Sequence, residues 1–270
     1  MIRILLSLLS IFLLWFGTIT RILAEETPIA PITQEQLEWG KEIAEKAFEA
    51  TQKENFTQAE TYWTQLIKKF PINSALWSNR GNTRVSQNKL DKAIADFNKA
   101  VELAPNESAI YLNRGTALER QGKYQEAIIN YNRVLEIAPN DAMAYNNRGN
   151  AQGSLGNWEQ ALKDYQTAVN IDPDFTFAKA NVALVFYQLG NTKEALKQIK
   201  NIIRKYPMFP DTRAALTAIL WDLGKQGEAE SNWVATVGMD NRYQDLNWVT
   251  KVRRWPPRLI TALDKFLNLK

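Results

Sequence analysis

Residues Trp77–Pro105 read WSNRGNTRVSQNKLDKAIADFNKAVELAP. Apolar and aromatic residues return on one side from Trp77 to Gln87, which predicts a helix. Asn88-Lys89 is a turn. Leu90 to Leu103 forms a second helix with Leu90, Ala93, Ile94, Phe97 and Val101 on one face. Pro105 cannot continue that helix, so the chain turns there. Gly81 has no side chain, so the second helix can approach closely. Ala93 does the same from the opposite side, and Trp77 and Phe97 fill the space between neighbouring pairs.

The same arrangement returns every 34 residues. Pro71, Pro105, Pro139, Pro173 and Pro207 keep the interval, as do Ala59, Ala93, Ala127, Ala161, Ala195 and Ala229. So do the large residues Trp63, Phe97, Tyr131, Tyr165, Ile199 and Trp233. Trp77, Tyr111 and Tyr145 form one further column, and Gly81, Gly115 and Gly149 another. One helix pair cannot bury its apolar faces alone, so successive pairs must stack.

These columns resemble the tetratricopeptide repeat. The resemblance covers residues 40 to about 243 in units near 40–73, 74–107, 108–141, 142–175, 176–209 and 210–243, and the middle three match best. The first, fifth and sixth replace the early aromatic and the glycine with Ile43 and Ala47, Lys179 and Ala183, and Arg213 and Thr217, as terminal repeats do. The resemblance implies an all-α, right-handed superhelical solenoid of five to six helix-turn-helix units, whose first helices line a concave groove.

The chain lacks cysteine and histidine, which excludes thiol chemistry, zinc sites built on those residues and imidazole-based triads. No catalytic residue, metal site or cofactor is expected. A formal charge of +4 with no arginine-rich run points away from nucleic acid. Residues 1–24 combine Arg3 with the apolar run Ile4 to Ile19 and end at Ala24. Two readings stand, a cleaved export signal and a retained anchor that would meet a membrane. Either puts the body outside the cytoplasm, in a periplasm, thylakoid lumen or envelope. Residues 25–37 read as a linker and 38–243 as the repeat array. Glu38, Glu42, Glu45 and Glu49 form a solvated helix face.

Within NRG the glycine and arginine read as packing, with Arg80, Arg114 and Arg148 stretching along apolar surface toward solvent or an acid such as Asp96 or Asp164. The asparagines form a ladder: Asn79, Asn113, Asn147 and Asn181, with Asn82 and Asn150 beside it. By the resemblance this column faces the groove. Side-chain amides there can hold the backbone of an extended peptide, or simply bond neighbouring helices. Phe177, Leu184, Tyr187 and Trp221 add apolar groove positions, which a partner or the chain's own tail could cover. The lysines and arginine that clamp a chaperone's C-terminal carboxylate in some relatives are missing from these columns.

Residues 244–270 are basic and amphipathic. Residues 251–270 alone carry a net +5, against −3 on residues 25–250. Leu259, Ile260, Leu263, Phe266 and Leu267 make an apolar stripe. Capping of the last repeat is the expected role; filling the groove and lying on a membrane are the alternatives. The expected function is a protein-interaction scaffold, exported or tethered, that assists a membrane complex. Its layout is similar to exported or anchored tetratricopeptide proteins of cyanobacteria and plastids, which makes a photosynthetic complex the specific expectation. The alternatives are a self-assembling structural envelope protein and an enzyme-associated regulatory subunit.

Overall fold

A computed structural model of the chain describes residues 32–268. The helices run α1 (Gln34–Gln52), α2 (Phe56–Lys69), α3 (Ser74–Ser86), α4 (Leu90–Leu103), α5 (Ser108–Arg120), α6 (Tyr124–Ile137), α7 (Ala142–Ser154), α8 (Trp158–Ile171), α9 (Thr176–Gln188), α10 (Thr192–Lys205), α11 (Pro210–Asp222) and α12 (Gln226–Met239). A 3-10 turn (Asn241–Gln244), a short helical turn (Leu246–Trp248) and a π-helical turn (Val249–Arg253) lead to α13 (Pro257–Asn268). The fold is an all-helical solenoid of helix-turn-helix units. The segment 1–24 lies outside the described residues. Among the described residues no helix is long and apolar enough to cross a membrane.

Helix α1 begins four residues before the expected start of the array. Thr33 explains this: its hydroxyl accepts from the Gln36 amide at 3.2 Å, while its own N–H donates to the Gln36 side chain at 3.3 Å. That reciprocal pair satisfies two amide groups at the helix start.

Within residues 42–270 the repeating columns meet as the sequence requires. The large residues from Trp63 to Trp233 and the six alanines are all buried. A Cβ added to Gly81 would lie 2.7 Å from the Phe97 ring, to Gly115 2.6 Å from Tyr131, and to Gly149 2.7 Å from Tyr165. Each glycine is thus the seat of the large residue on its own second helix. Polar ends of the first-helix aromatics tie the incoming loop: Trp77 Nε1 donates to the Pro71 carbonyl at 2.8 Å and the Tyr111 hydroxyl to that of Pro105 at 3.0 Å. Arg213 takes over this bond in the sixth unit, donating to Pro207 at 3.2 Å.

The turn inside each unit adds one more column. Glu54, Asn88, Gly122, Gly156, Gly190 and Gly224 are spaced by 34 and all have positive φ, from 57° to 87°. A left-handed residue is what lets so short a turn reverse the chain, and glycine takes it without a steric cost.

First helices of successive units approach one another, α3 with α5, α5 with α7 and α9 with α11, more closely than the second helices do. The array therefore curves with its first helices inside.

Gly115→Ala forces the Tyr131 ring out of a site with no slack. Overpacking of this kind costs about 1–3 kcal/mol. The melting temperature should fall by several degrees in a thermal scan by circular dichroism, with the helical signal below the transition unchanged.

Candidate partner-binding groove

The inner face of α3 carries Ala75, Ser78, Asn79, Asn82, Val85 and Ser86, and the later first helices carry the same columns at intervals of 34. The arginines of NRG sit behind this face. Arg80 grips Asp96 with Nε at 3.0 Å and Nη2 at 2.7 Å, and reaches Thr64 at 3.2 Å. Arg148 holds Asp164 at 2.9 and 2.6 Å and Asn132 at 2.7 Å. Arg114 finds two amides instead, Asn130 at 2.7 Å and Asn98 at 3.0 Å. Each arginine thus joins the second helices on either side, and each lies over the aromatic three residues before it. The direction of the pKa shift follows the partner. The bond to Asp164 pushes the Arg148 pKa up, whereas burial pushes that of Arg114 down. These arginines are structural.

The asparagine ladder divides. Asn181 donates to Asn146 at 3.1 Å and to Asn150 at 3.4 Å, and the Tyr165 hydroxyl donates to Asn150 at 2.9 Å. Asn147 accepts from Asn146 at 3.3 Å. This end of the ladder is an internal amide network. The side chains of Asn79, Asn82 and Asn113 make no hydrogen bond among the described residues; Asn82 is exposed and the other two partly so. Asn181 finds asparagines both 31 and 35 residues earlier, Asn150 and Asn146, whereas those positions before Asn147 hold Thr116 and Leu112.

The C-terminal half of the groove already has an occupant. Helix α13 packs along α11 and reaches α9. Ala214, Ala215 and Ala218 on the inner columns of α11 are buried, and their small side chains let α13 lie close. Leu259, Ala262, Leu263 and Phe266 are buried in one cluster with Leu184 and Tyr187, and Trp221 packs against it. Phe266 meets Trp221 and Trp233 edge-on at 5.1 and 5.2 Å. The tail is therefore seated on the inner face, which is the groove-filling alternative to the expected cap. Leu184, Tyr187 and Trp221 are covered by the chain's own tail, which corrects their reading as open pockets for a partner. Phe177 stays half exposed, against Phe209 and beneath Arg253.

Charge fixes the tail in place. Three carboxylates lie on the inner columns of units 2 to 6, and each meets a tail cation. Arg253 holds both oxygens of Asp211 at 2.8 and 2.7 Å. Lys265 reaches Asp222 at 3.3 Å, and Arg254 pairs with Glu119 on α5. Asp211 also accepts from Tyr243 at 2.7 Å and from the Trp255 indole at 3.1 Å. Burial opposes its ionisation, but Arg253, Tyr243 and Trp255 outweigh burial and hold its carboxyl below the usual range. Arg258 stacks over Tyr187 at 4.3 Å and donates to its carbonyl at 2.9 Å. Glu119, Asp211 and Asp222 were missed as groove residues. Their signal was present: acids on the inner columns, a net +5 tail and three alanines where the ladder ends.

Family models described as tetratricopeptide repeat match residues 72–140, 106–174 and 146–208. The chain is a tetratricopeptide repeat protein. The fold is similar to a tetratricopeptide repeat protein from Parabacteroides merdae, with a TM-score of 0.67 and 20% identity over 86% of this chain and 93% of that one. It is also similar to MamA, at 0.55 and 24% identity over 62% and 92%. A third structure, YrrB, described as having an unusual peptide-binding site, aligns at 0.53 and 19% identity over 71% and 97%. No curated protein matches this tetratricopeptide chain.

Asp211→Asn strands the Arg253 guanidinium in the core and should destabilise the protein by about 3 kcal/mol at neutral pH. A carboxyl depressed by folding adds stability above its unfolded pKa of about 3.9. That contribution is lost as pH falls through the lower, folded value. The gap in melting temperature between wild type and Asp211→Asn should therefore be widest near neutrality and shrink below about pH 4.

Proposed function

We propose that this tetratricopeptide protein is an interaction scaffold that holds an extended segment of a partner protein in the open half of its groove, across units 2 to 4. One observation carries the reading. Asn79, Asn82 and Asn113 offer amides without hydrogen-bond partners on the curved inner face. An extended backbone presents N–H and C=O groups that such amides can bond without reading side chains. Exposed Ala75, Ala109 and Met143 line the same face, and Phe177 stands at its far end. YrrB, of the same fold, is described as having a peptide-binding site, and the proposed use of this groove is of that general kind.

The apolar stretch 4–19 supports export or tethering, with the scaffold assisting assembly or maintenance of a membrane complex. The layout resemblance favours a photosynthetic one. Self-assembly through the tail is disfavoured, because its apolar stripe is buried on its own chain.

Asn79→Ala, Asn82→Ala and Asn113→Ala together should abolish capture of the partner from native membranes while leaving helicity and melting temperature unchanged. Retention of the same partner would sink the proposal. Asn181→Ala serves as the contrast. It breaks the internal amide network and should lower the melting temperature.

A further inference from the structure

Glu119 stands apart from the other inner carboxylates. It is the one acid on the inner columns of units 2 to 5. It lies on the same face of α5 as Asn113 and Thr116, about 9 Å along the axis from Asn113. A partner backbone held by Asn113 therefore passes it. The residue is 5% exposed and its carboxylate accepts from the Tyr131 hydroxyl at 2.6 Å. A carboxylate so buried needs a cation beside it.

That cation is Arg254, delivered from 135 residues downstream. The other tail arginines are held several ways, Arg253 by both oxygens of Asp211 and by the Phe177 ring, Arg258 by the carbonyl and ring of Tyr187. Arg254 has the Glu119 pair, and its backbone sits in the left-handed region (φ 54°, ψ 46°), which disfavours any residue with a Cβ. Its side chain can leave while Trp255 and α13 stay buried.

We propose that Glu119 is the recognition point for a lysine or arginine of the partner segment, and that Arg254 occupies it until that side chain arrives. This rests on the groove reading above and adds the partner's charge. The incoming side chain replaces one cation by another, so the buried carboxylate is never left bare. Arg254 swings to solvent. The tail helix keeps its place.

Fluorescence anisotropy with the full-length chain tests this. The probes are an end-capped peptide copying residues 250–258, TKVRRWPPR, and the same peptide with its four cations changed to glutamine. Arg254→Gly suits the left-handed backbone and removes the resident competitor. It should tighten binding of the cationic peptide about tenfold and leave the neutral one unchanged. Adding Glu119→Gln, which keeps an acceptor for Tyr131, should remove that gain. Equal binding of the cationic peptide by wild type and Arg254→Gly would overturn the proposal, as would an equal gain for the neutral peptide. The triple asparagine variant separates the two ideas. If it weakens both peptides while charge preference is absent, the groove reading stands and the Glu119 proposal falls. If it weakens neither, the groove reading falls. Circular dichroism melts confirm that each variant is folded.

Discussion

The structure depends on two helices meeting where one has no side chain. At Gly81, Gly115 and Gly149 the gap left by the missing Cβ is filled by a ring from the second helix of the same unit. This contact sets the separation of the helices within a pair. It also carries each pair's remaining apolar surface outward, where only another pair can cover it. Repetition follows from that need, and curvature follows from repetition, because the first helices pack closer than the second. The groove is thus a by-product of how the core is closed.

Most of the fold was legible, because each structural role recurs at a fixed interval. Proline, alanine, aromatic and glycine columns each mark one mechanical part, and helices Ser74–Ser86 and Leu90–Leu103 fall within three residues of their expected ends. The arginine bonds to Asp96 and Asp164 were legible for the same reason. The turn column was harder to see, since Glu54 and Asn88 interrupt a run that is otherwise glycine. The tail was harder still. A segment that occurs once has no period to betray its seat, and amphipathicity states that a helix needs a surface without saying which. The asparagine ladder shows a further limit. Four identical residues in one column differ in their contacts, and the column itself does not say which of them will bond.

The groove has two halves with different chemistry. Units 5 and 6 supply acids, alanines and aromatics that the tail satisfies with arginines, a lysine and an apolar helix. Units 2 to 4 present amides, small residues, a methionine and one acid, Glu119, which Arg254 of the tail meets. Burial of a charge is tolerated only with its counter-charge, so the occupied half is matched pair by pair. The open half carries little charge of its own, and neutral amides suit a backbone more than a particular side chain.

The tail also changes how the chain can come apart. A stack of repeats makes contacts only between neighbours, so it ordinarily frays one unit at a time from either end. Here hydrogen bonds join Arg258 to Tyr187 and Gln188 across 71 and 70 residues, and Arg254 reaches back to α5. These are the long-range closures that slow folding in other topologies. The sixth repeat cannot unravel without releasing a segment fastened to the fifth and third. During synthesis the same stitch emerges after the repeats it fastens. The tail must leave the ribosome before units 5 and 6 become one cooperative body.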